Sequence, residues 1–422
     1  MSGMRSEPSA GEVGPRDATG SWRDAPEHRA FLARDARRQI DFFRPSLRAD
    51  GGFDVLDLDG RPLPDAPQEL HTTTRLVHSF ALGRVFGAQG ADAVIEAGMD
   101  RLLHGHRDRL NGGYAWSVEG REIRDGIKLA YGHVFVLLAA ASARMAGHPD
   151  ADWLLRDVWE VIDRHYWDEA HGLLRDEFSA DWTPFSRYRG MNANMHAVEA
   201  MLAAFETTGE PVFLERAGRI LDFFLGRMAP AHGFRLPEHY REDWSVDPGY
   251  EGNPMFRPAG TTPGHSLEFA RLAVQHWDLD GRRDGEALAR ARQLMERALA
   301  DAWAPEGGFH YTLGPDGAPL RRDRYWWPVT EGIGALAAFL KVDPGPEDES
   351  WYRRLWLFAD RALIDHRRGG WYPELDAEGR PTARQFAGKP DIYHSLQAAL
   401  LPLVPGVSRL IEELEREAPR LA

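Results

Sequence analysis

The segment Gly307-Gly308-Phe309-His310-Tyr311-Thr312 combines two glycines, an aromatic residue and a short β-prone stretch, and versions of this pattern occur six times in the chain. The other five are Gly51-Gly52-Phe53, Gly112-Gly113-Tyr114, Gly172-Leu173-Leu174, Gly233-Phe234-Arg235 and Gly369-Gly370-Trp371. Measured from Gly52, Gly113, Gly172, Gly233, Gly308 and Gly370, the intervals are 61, 59, 61, 75 and 62 residues. A recurring period of this length indicates a repeat architecture, in which each repeat packs on its neighbours.

Each interval has room for a short hairpin and two helices. Three signatures lead into a second turn, at Asp59-Gly60, Asp316-Gly317 and Glu378-Gly379, which is typical of a hairpin. In the second interval, residues 129–145 are nearly all apolar, whereas residues 151–165 are apolar on one side only. Buried inner helices that alternate with amphipathic outer helices predict an (α/α)6 barrel, an all-α fold with short β-hairpins in its loops. An irregular α-solenoid is the alternative.

The composition predicts one folded domain with two extensions. Residues 1–25 include a stretch rich in Gly, Ser, Pro and Arg without an apolar core, which predicts a disordered tail and not a signal peptide. Residues 26–405 carry the repeats without a Pro-rich linker and predict the barrel. Residues 406–422 predict a charged C-terminal helix packed outside it.

Charge and composition restrict the possible functions. A net charge of −14 leaves little basic surface for phosphates, so nucleic acid is not an expected partner. The chain contains no cysteine, which excludes disulfides, thiolate metal sites and cysteine nucleophiles. Its strongest uncharged run, residues 134–142, is too short to span a bilayer. We therefore expect a cytoplasmic protein with no membrane partner, either a monomer or a homodimer.

Polar residues stand near the start of each predicted inner helix, roughly 20 to 30 residues after each glycine signature. They are Arg75 and His78, Tyr131 and His133, Asn192 and His196, His265 and Glu268, Glu331, and His394. If all six inner helices point the same way, these side chains converge on one end of the barrel and form one pocket. A lone histidine in an apolar helix is more often a core residue, but the shared position in the repeats favours a function.

Histidines at helix N-termini suit the removal of a proton next to a carbonyl. The positive end of a helix dipole favours the neutral imidazole, and both His265 and His394 lie near predicted helix starts. A neutral base can abstract such a proton, and Arg75 and Asn192 can stabilise the enediolate that forms. Glu268, one turn from His265, can orient that histidine or shuttle a proton. No phosphate loop or dinucleotide motif competes, so the residues favour isomerisation of a free sugar without a cofactor.

Four segments carry a family resemblance. They are 192–196 (NANMH), 256–258 (FRP) leading into 262–268 (TPGHSLE), 325–328 (YWWP) with Glu331, and 389–394 (KPDIYH). Together they resemble the N-acylglucosamine 2-epimerase superfamily, and within it the mannose isomerase and sulfoquinovose isomerase branch, over about residues 27 to 405. The resemblance implies an (α/α)6 barrel that interconverts an aldose and a ketose through a cis-enediol without a metal. The sugars implied are D-mannose, or a close analogue such as D-lyxose, and D-fructose.

The resemblance also implies roles for individual residues. His394 would be the base at C2, His265 would assist ring opening and proton transfer, and Glu268 would support His265. The residues implied to line the sugar site are Arg75, Tyr131, Asn192, His196, Arg257 and Trp327. Glu331 and Asp391 are further sugar-binding candidates, although Asp391 also suits a helix cap. No cofactor or metal is implied, and the expected partner is a small monosaccharide.

Other functions stay open at this point. A sugar 2-epimerase (mannose/glucose or N-acylglucosamine type) and a sulfoquinovose isomerase would use the same fold. A glycosidase needs two carboxylates beside the scissile bond, which Glu268 and Glu331 could supply. His196, His265 and Glu268 could form a metal site, and the fold could serve only as a sugar- or protein-binding toroid.

The fourth interval is 75 residues long, and its excess falls in residues 239–256. This segment is rich in Gly, Pro and acidic residues, which predicts a loop over the pocket mouth, with a surface excursion as the alternative. A capped pocket would favour a monosaccharide over a disaccharide.

Overall fold

The computed structural model describes residues 13–15, 20–64, 66–253, 256–376 and 378–421. The disordered tail predicted for residues 1–25 lies largely outside these ranges. Within them, Trp22–Asp24 form a 3-10 helix. The Trp22 side chain is buried, and its backbone N–H donates to Glu349 Oε1 at 2.9 Å. The buried indole of Trp22 anchors this short helix, and the amino-acid composition of the segment does not reveal such a contact.

The helices of the described residues are, in chain order, α1 (Pro26–Phe43), α2 (Leu70–Val85), α3 (Ala91–Arg101), α4 (Ala130–Met145), α5 (Ala151–Val161), α6 (Met191–Thr208), α7 (Pro211–Leu221), α8 (Ala229–Ala231), α9 (Pro263–Leu279), α10 (Gly285–Ala302), α11 (Trp326–Val342), α12 (Asp348–Phe358), α13 (Tyr393–Leu400) and α14 (Leu410–Leu421). Four outer helices continue into π-helical turns, at Leu102–His106, Ile162–Tyr166, Asp222–Met228 and Ala359–Leu363. None of the helices in these ranges is both long and apolar enough to cross a membrane.

The strands are short and lie in the connections. They are β1 (Gln68–Glu69), β2 (Ser117–Glu119), β3 (Glu122–Asp125), β4 (Lys128–Leu129), β5 (Trp167–Asp168), β6 (Leu173–Leu174), β7 (Glu177–Phe178), β8 (Arg189–Gly190), β9 (His239–Tyr240), β10 (Thr312–Leu313), β11 (Pro319–Arg321), β12 (Arg324–Tyr325) and β13 (Glu374–Leu375). All their pairings are antiparallel: β1–β2–β3, β4–β7, β5–β6, β8–β9, β10–β11 and β12–β13.

Twelve of these helices form two concentric rings. The inner helices α2, α4, α6, α9, α11 and α13 contact one another in that order, and α13 contacts α2, which closes the ring. Each inner helix packs on an outer partner: α2 on α3, α4 on α5, α6 on α7, α9 on α10, α11 on α12, and α13 on α1. The inner helices are buried on all sides, and residues 134–141 of α4 have no exposed member. The predicted (α/α)6 barrel is confirmed.

Hydrogen bonds between repeats hold the N-termini of the inner helices. The first N–H of α4, from Ala130, donates to Asp176 O at 2.8 Å, and that of α6, from Met191, donates to Glu238 O at 3.0 Å. The same bond joins Trp326 of α11 to Pro373 O at 3.2 Å. Because each inner helix begins at such a junction, the polar residues near the helix starts share one end of the barrel.

The C-terminal helix α14 lies at the other end. The N–H of Arg409, just before α14, donates at 2.6 Å to Glu206 Oε1, near the C-terminus of α6. Ser408 Oγ donates at 2.5 Å to Asp278 Oδ2, near the C-terminus of α9. Since Ile411 and Leu414 are buried, α14 covers the end of the barrel away from the predicted pocket.

Buried lysines support the glycine turns of two repeats. Lys389 Nζ donates to Asp365 Oδ2 at 2.9 Å and to the carbonyl of Gly369 at 2.7 Å. In the second repeat, Lys128 Nζ donates to Asp108 Oδ2 at 2.8 Å. Both lysine side chains are almost fully buried, and each is the nearest cation to its carboxylate. Asp365 also has Arg368 Nη1 at 3.7 Å.

We expect Lys389→Met to lower the free energy of unfolding by about 3 to 5 kcal/mol, because the buried Asp365 carboxylate loses its nearest cation and keeps only Arg368 Nη1, 3.7 Å away. Chemical denaturation measures this loss. The double variant Lys389→Met/Asp365→Asn, which also removes the negative charge, should recover part of it. A loss below about 1 kcal/mol in the single variant, the range of an exposed ion pair, would contradict this account.

Candidate active site

A cavity of about 400 Å³ opens beside the N-termini of α4 and α6. Tyr131 and Asn192 line it from these helices, and Arg257 lines it from the connection before α9. Its other lining side chains include four carboxylates, those of Glu69, Asp125, Asp176 and Glu177, and the rings of Trp116 and Tyr188. Tyr250, Asn253 and Phe256 also line it, so the 239–256 segment reaches the pocket mouth as its composition predicts.

Arg75 is held from two sides beside this cavity. Its Nη1 donates to Asp391 Oδ2 at 2.6 Å and its Nη2 donates to Tyr131 Oη at 2.7 Å. The guanidinium lies over the rings of Phe135 and Tyr393, 4.6 and 4.8 Å from their centroids. Asp391 also accepts the backbone N–H of Tyr393 at 3.1 Å. Asp391 therefore both caps α13 and fixes Arg75.

His394 is joined to a buried ion pair. Its Nδ1 lies 2.8 Å from Glu331 Oε1, and Glu331 Oε2 accepts from Arg271 Nη2 at 3.1 Å. Burial alone would raise the pKa of the Glu331 carboxyl, but Arg271 and His394 outweigh it and hold this pKa below its usual value. Glu331 is therefore ionised. It accepts the Nδ1 proton of His394 and leaves Nε2 as the nitrogen free to meet a substrate.

His265 has a carboxylate partner of its own. Its Nδ1 lies 2.9 Å from Oε2 of Glu238, 27 residues earlier in the chain. The ring of Trp327 lies near both histidines, with its centroid 5.0 Å from that of His265 and 5.8 Å from that of His394. A Cβ on Gly264 would come within 2.4 Å of the Trp327 ring, so only glycine permits this approach of α9 to α11. Two histidine–glutamate pairs thus flank one indole.

Glu268 is a buried acid without a hydrogen bond among the described residues. Its Oε1 lies 3.5 Å from His196 Nδ1 and 3.7 Å from Arg271 Nη2. Burial, followed by the neighbouring carboxylates of Glu331 and Glu199, raises the pKa of Glu268 well above its usual value. Burial also lowers the pKa of His196 to about 4. The surroundings of Glu268 therefore favour its protonated form, which can donate a proton. His196 is uncharged at neutral pH.

The side chains predicted for the site lie close together. Arg75, Tyr131 and Asp391 form one group, His196 and Glu268 a second, and His265, Trp327, His394 and Glu331 a third. The ring of Tyr131, 5.3 Å from that of His196, links the first two, and Arg271 links Glu268 to Glu331. Asn192 and Arg257 line the cavity, where Arg257 Nη2 donates to Glu177 Oε2 at 2.7 Å.

Of the two further histidines from the repeat pattern, His133 is structural, whereas His78 keeps a buried ring nitrogen, Nε2, without a hydrogen bond among the described residues. His133 Nε2 accepts the N–H of Tyr114 at 3.0 Å, and its Nδ1 lies 2.8 Å from Leu129 O, so both ring nitrogens are used within the core. His78 Nδ1 lies 2.7 Å from Ser142 Oγ. A shared position in the repeat therefore does not by itself assign a histidine to the pocket.

Three charged residues of the site were missed in the sequence. Glu199 and Arg271 follow His196 and Glu268 by three residues, on the same helix faces. A charged residue at a periodic position of a buried helix face could have indicated that both belong to the site. Tyr393 Oη donates to Glu199, which lies 3.7 Å from Arg271. Glu238 had a weaker signal. It follows the glycine signature by five residues, as Asp176 does by four in the previous repeat.

Two groups of side chains are spaced so that they could hold a metal ion. Ligand atoms lie within 4.8 Å of one another in His196, Glu199 and Glu268, and again in Glu268, Glu331 and His394. Arg271 stands among the same carboxylates and already supplies a positive charge. The raised pKa of Glu268 favours its protonated form, which would have to lose the proton before it could bind a metal. Catalysis without a metal stays a prediction.

The comparisons with known proteins agree with this geometry. The family model for N-acylglucosamine 2-epimerase (GlcNAc 2-epimerase) matches residues 51–398. The chain is 40% identical over 393 residues to a D-mannose isomerase of Thermobifida fusca, covering 91% of this chain and 96% of that protein. It is 38% identical over 396 residues to a D-mannose isomerase of Pseudomonas cannabina pv. alisalensis, covering 91% and 95%. A crystal structure of D-mannose isomerase superposes with a TM-score of 0.82 at 31% identity, covering 88% of this chain and 97% of that one. The chain therefore belongs to the N-acylglucosamine 2-epimerase family.

Proposed function

We propose that this protein is a sugar isomerase that interconverts D-mannose and D-fructose through a cis-enediol. The observation that carries the proposal is the pair of histidines beside Trp327, each held at Nδ1 by a buried glutamate. Relatives of 38% and 40% identity that are named D-mannose isomerase support the choice of sugar.

His394 acts as the base at C2 in this proposal. In the open form of mannose the C2 proton lies next to the C1 aldehyde and is acidic enough for a positioned imidazole to remove it. Its removal, with protonation of O1, gives the enediol. Return of a proton to C1, with loss of the O2 proton, gives the ketose. No atom or electron is gained or lost overall, so the chemistry needs no redox cofactor.

Neighbouring side chains stabilise the charge that develops on the two sugar oxygens. Arg75 and Tyr131 are fixed in one orientation by their mutual hydrogen bond and can donate to a developing oxyanion. Glu268, whose raised pKa favours the protonated form, supplies an acid, and His265 exchanges a proton with the sugar during ring opening. In this proposal the side chains that contact the sugar include those of His196, Asn192, Arg257 and Trp327.

Two residues predicted to contact sugar have other partners in the structure. Both carboxylate oxygens of Glu331 are engaged, by His394 and by Arg271, so we assign Glu331 to holding the base. Asp391 is engaged by Arg75 and by the N-terminus of α13, so we assign it to holding Arg75.

The charge of the cavity favours a neutral sugar over a sulfonated one. Four carboxyl groups line it, and its lining guanidinium, Arg257, is paired with Glu177 at 2.7 Å. Burial raises the pKa of Glu69 and brings that of Asp176 to about 7, so these two carry only part of the negative charge, but carboxyl groups still outnumber the guanidinium. A sulfonate or phosphate entering this space would meet a negative potential. We therefore place mannose before sulfoquinovose as the substrate.

Early product ratios distinguish the isomerase from the 2-epimerase alternative. Both reactions begin with the C2 proton, but an epimerase returns a proton to C2 from the opposite face and forms glucose. We expect fructose to form first, with glucose roughly ten-fold slower, a difference of about 1.4 kcal/mol in barrier height. Time-resolved NMR of 13C-labelled mannose measures both rates. Glucose that appears as fast as fructose would favour the epimerase.

A further inference from the structure

Glu238 makes three contacts that join α6 to α9 around the second histidine. Its backbone carbonyl accepts the N–H of Met191, the first residue of α6, at 3.0 Å. Its Oε1 accepts the N–H of Thr262, the residue before α9, at 3.1 Å, while Oε2 lies 2.9 Å from His265 Nδ1. Only 4% of Glu238 is exposed, so its carboxylate is committed to these partners.

The bond to Glu238 determines which nitrogen of His265 carries the proton. An ionised carboxylate only accepts hydrogen bonds, so the neutral imidazole beside it is protonated on Nδ1. Nε2 then keeps its lone pair and is the nitrogen able to take a proton. The same bond fixes the ring plane, which lies at 33° to that of Trp327 with centroids 5.0 Å apart.

A comparison with the preceding repeat distinguishes the contact of Glu238 with His265 from its role in capping α9. Asp176 stands at the corresponding place, where its carbonyl accepts the N–H of Ala130 and its Oδ2 accepts the N–H of Gly190, the residue before α6, at 2.9 Å. The third residue of α6 is Ala193, whereas the third residue of α9 is His265. An aspartate is therefore long enough to cap the helix. The additional methylene of Glu238 lets one carboxylate both cap α9 and bind the histidine.

We propose that Glu238 is a positioning residue that keeps His265 protonated on Nδ1, so that Nε2 can act as a base in opening the sugar ring. In that step Nε2 takes the proton of the O1 hydroxyl, C1–O1 becomes the carbonyl, and the C1–O5 electron pair leaves on O5. O5 then takes a proton from solvent, so atoms and charge balance. This assignment rests on the proposed isomerase function.

Two substitutions of Glu238 test the assignment. In Glu238→Gln the amide NH₂ donates to Nδ1 and moves the histidine proton to Nε2, which can then only donate. In Glu238→Asp the side chain can still cap α9, as Asp176 caps α6, but is too short to hold His265 as well. We expect both variants to keep their thermal midpoint and to lose kcat for mannose by roughly 10- to 100-fold, with a much smaller change in KM.

Glu374→Gln is the matched control. Glu374 is equally buried and accepts the backbone N–H groups of Arg384 and Gln385, without a histidine partner among the described residues. This variant should retain the wild-type kcat. If Glu238→Asp also retains the wild-type kcat while His265→Asn is inactive, Glu238 serves only as a helix cap and the proposal is overturned.

A second readout does not depend on turnover. In protein labelled with 15N-histidine, the His265→Asn spectrum identifies the signals of His265 among the 17 histidines of the chain. We expect an Nδ1-protonated ring in the wild type and an Nε2-protonated ring in Glu238→Gln. An unchanged tautomer in Glu238→Gln would overturn the proposal. A wild-type protein that does not convert mannose would instead refute the isomerase function, and the spectra would still test the role of Glu238.

Discussion

His394→Asn is expected to lower kcat for mannose by roughly 1000-fold, because the asparagine amide can bond to Glu331 but cannot take up the C2 proton. KM should change far less, since the proton is transferred only in the transition state. Initial rates of fructose formation, followed by NMR, measure the effect. The thermal midpoint of the variant should stay near that of the wild type because the replacement preserves a polar partner for Glu331.

His133→Gln is the matched control for this result. His133 also lies on an inner helix, α4, but its ring nitrogens bond to Tyr114 and Leu129 in the core. We expect this variant to lose stability and to keep its kcat per folded molecule. If the kcat of His394→Asn is within ten-fold of the wild-type value, His394 is not the base at C2, whatever the effect of His133→Gln.

Arg271→Leu is expected to lower the free energy of unfolding at pH 7.5 by about 3 to 5 kcal/mol, because it leaves a cluster of buried carboxylates without their cation. Arg271 Nη2 lies 3.1 Å from Glu331 and 3.7 Å from both Glu199 and Glu268, and its side chain is almost fully buried. Denaturant titration gives the free energy. Arg121→Leu, which removes an exposed ion pair with Asp100, is the control and should cost less than about 1 kcal/mol.

The loss in Arg271→Leu should depend on pH. With Arg271 present, the pKa of Glu331 is held below its usual value, so ionised Glu331 contributes stability above the unfolded pKa and loses it as pH falls. Without Arg271, burial and the other carboxylates raise this pKa, which reverses the sign of the contribution. The difference between variant and wild type should therefore narrow from pH 7.5 to pH 5. A difference that stays constant or widens would contradict the assigned role of Arg271.

The barrel could be predicted from the sequence because its evidence is local and repeated. Six glycine signatures, and segments such as 129–145 that are apolar on every side, already specify two rings of helices. The exact helix starts were harder to predict. Helix α2 begins at Leu70 without a side-chain cap, and the Leu70 N–H donates instead to Trp116 O of the next repeat at 2.7 Å. Because a backbone carbonyl of another repeat accepts the first N–H of this helix, the local sequence contains no capping residue that marks the helix start.

The pocket could be predicted as a set of residues but not as a set of pairs. The register of the inner helices was sufficient to place Arg75, His265 and His394 at one end of the barrel. Which carboxylate holds which histidine depends on contacts across 27 residues for His265 and 63 for His394. For this reason the sequence indicates Glu331 only as a sugar-binding candidate, without its contact to His394, and it does not indicate Glu238. Family resemblance identified the residue types, while their partners needed the three-dimensional structure.

The most direct test of the proposed function incubates D-mannose with the protein in D₂O and follows both sugars by NMR. Proton transfer through an enediol predicts D-fructose as the product. Part of its C1 should carry deuterium, because the proton held by His394 can exchange with solvent before it returns to carbon. The same experiment with His394→Asn should give neither fructose nor exchange above background. If the wild-type protein forms no fructose, the proposed isomerase function is wrong.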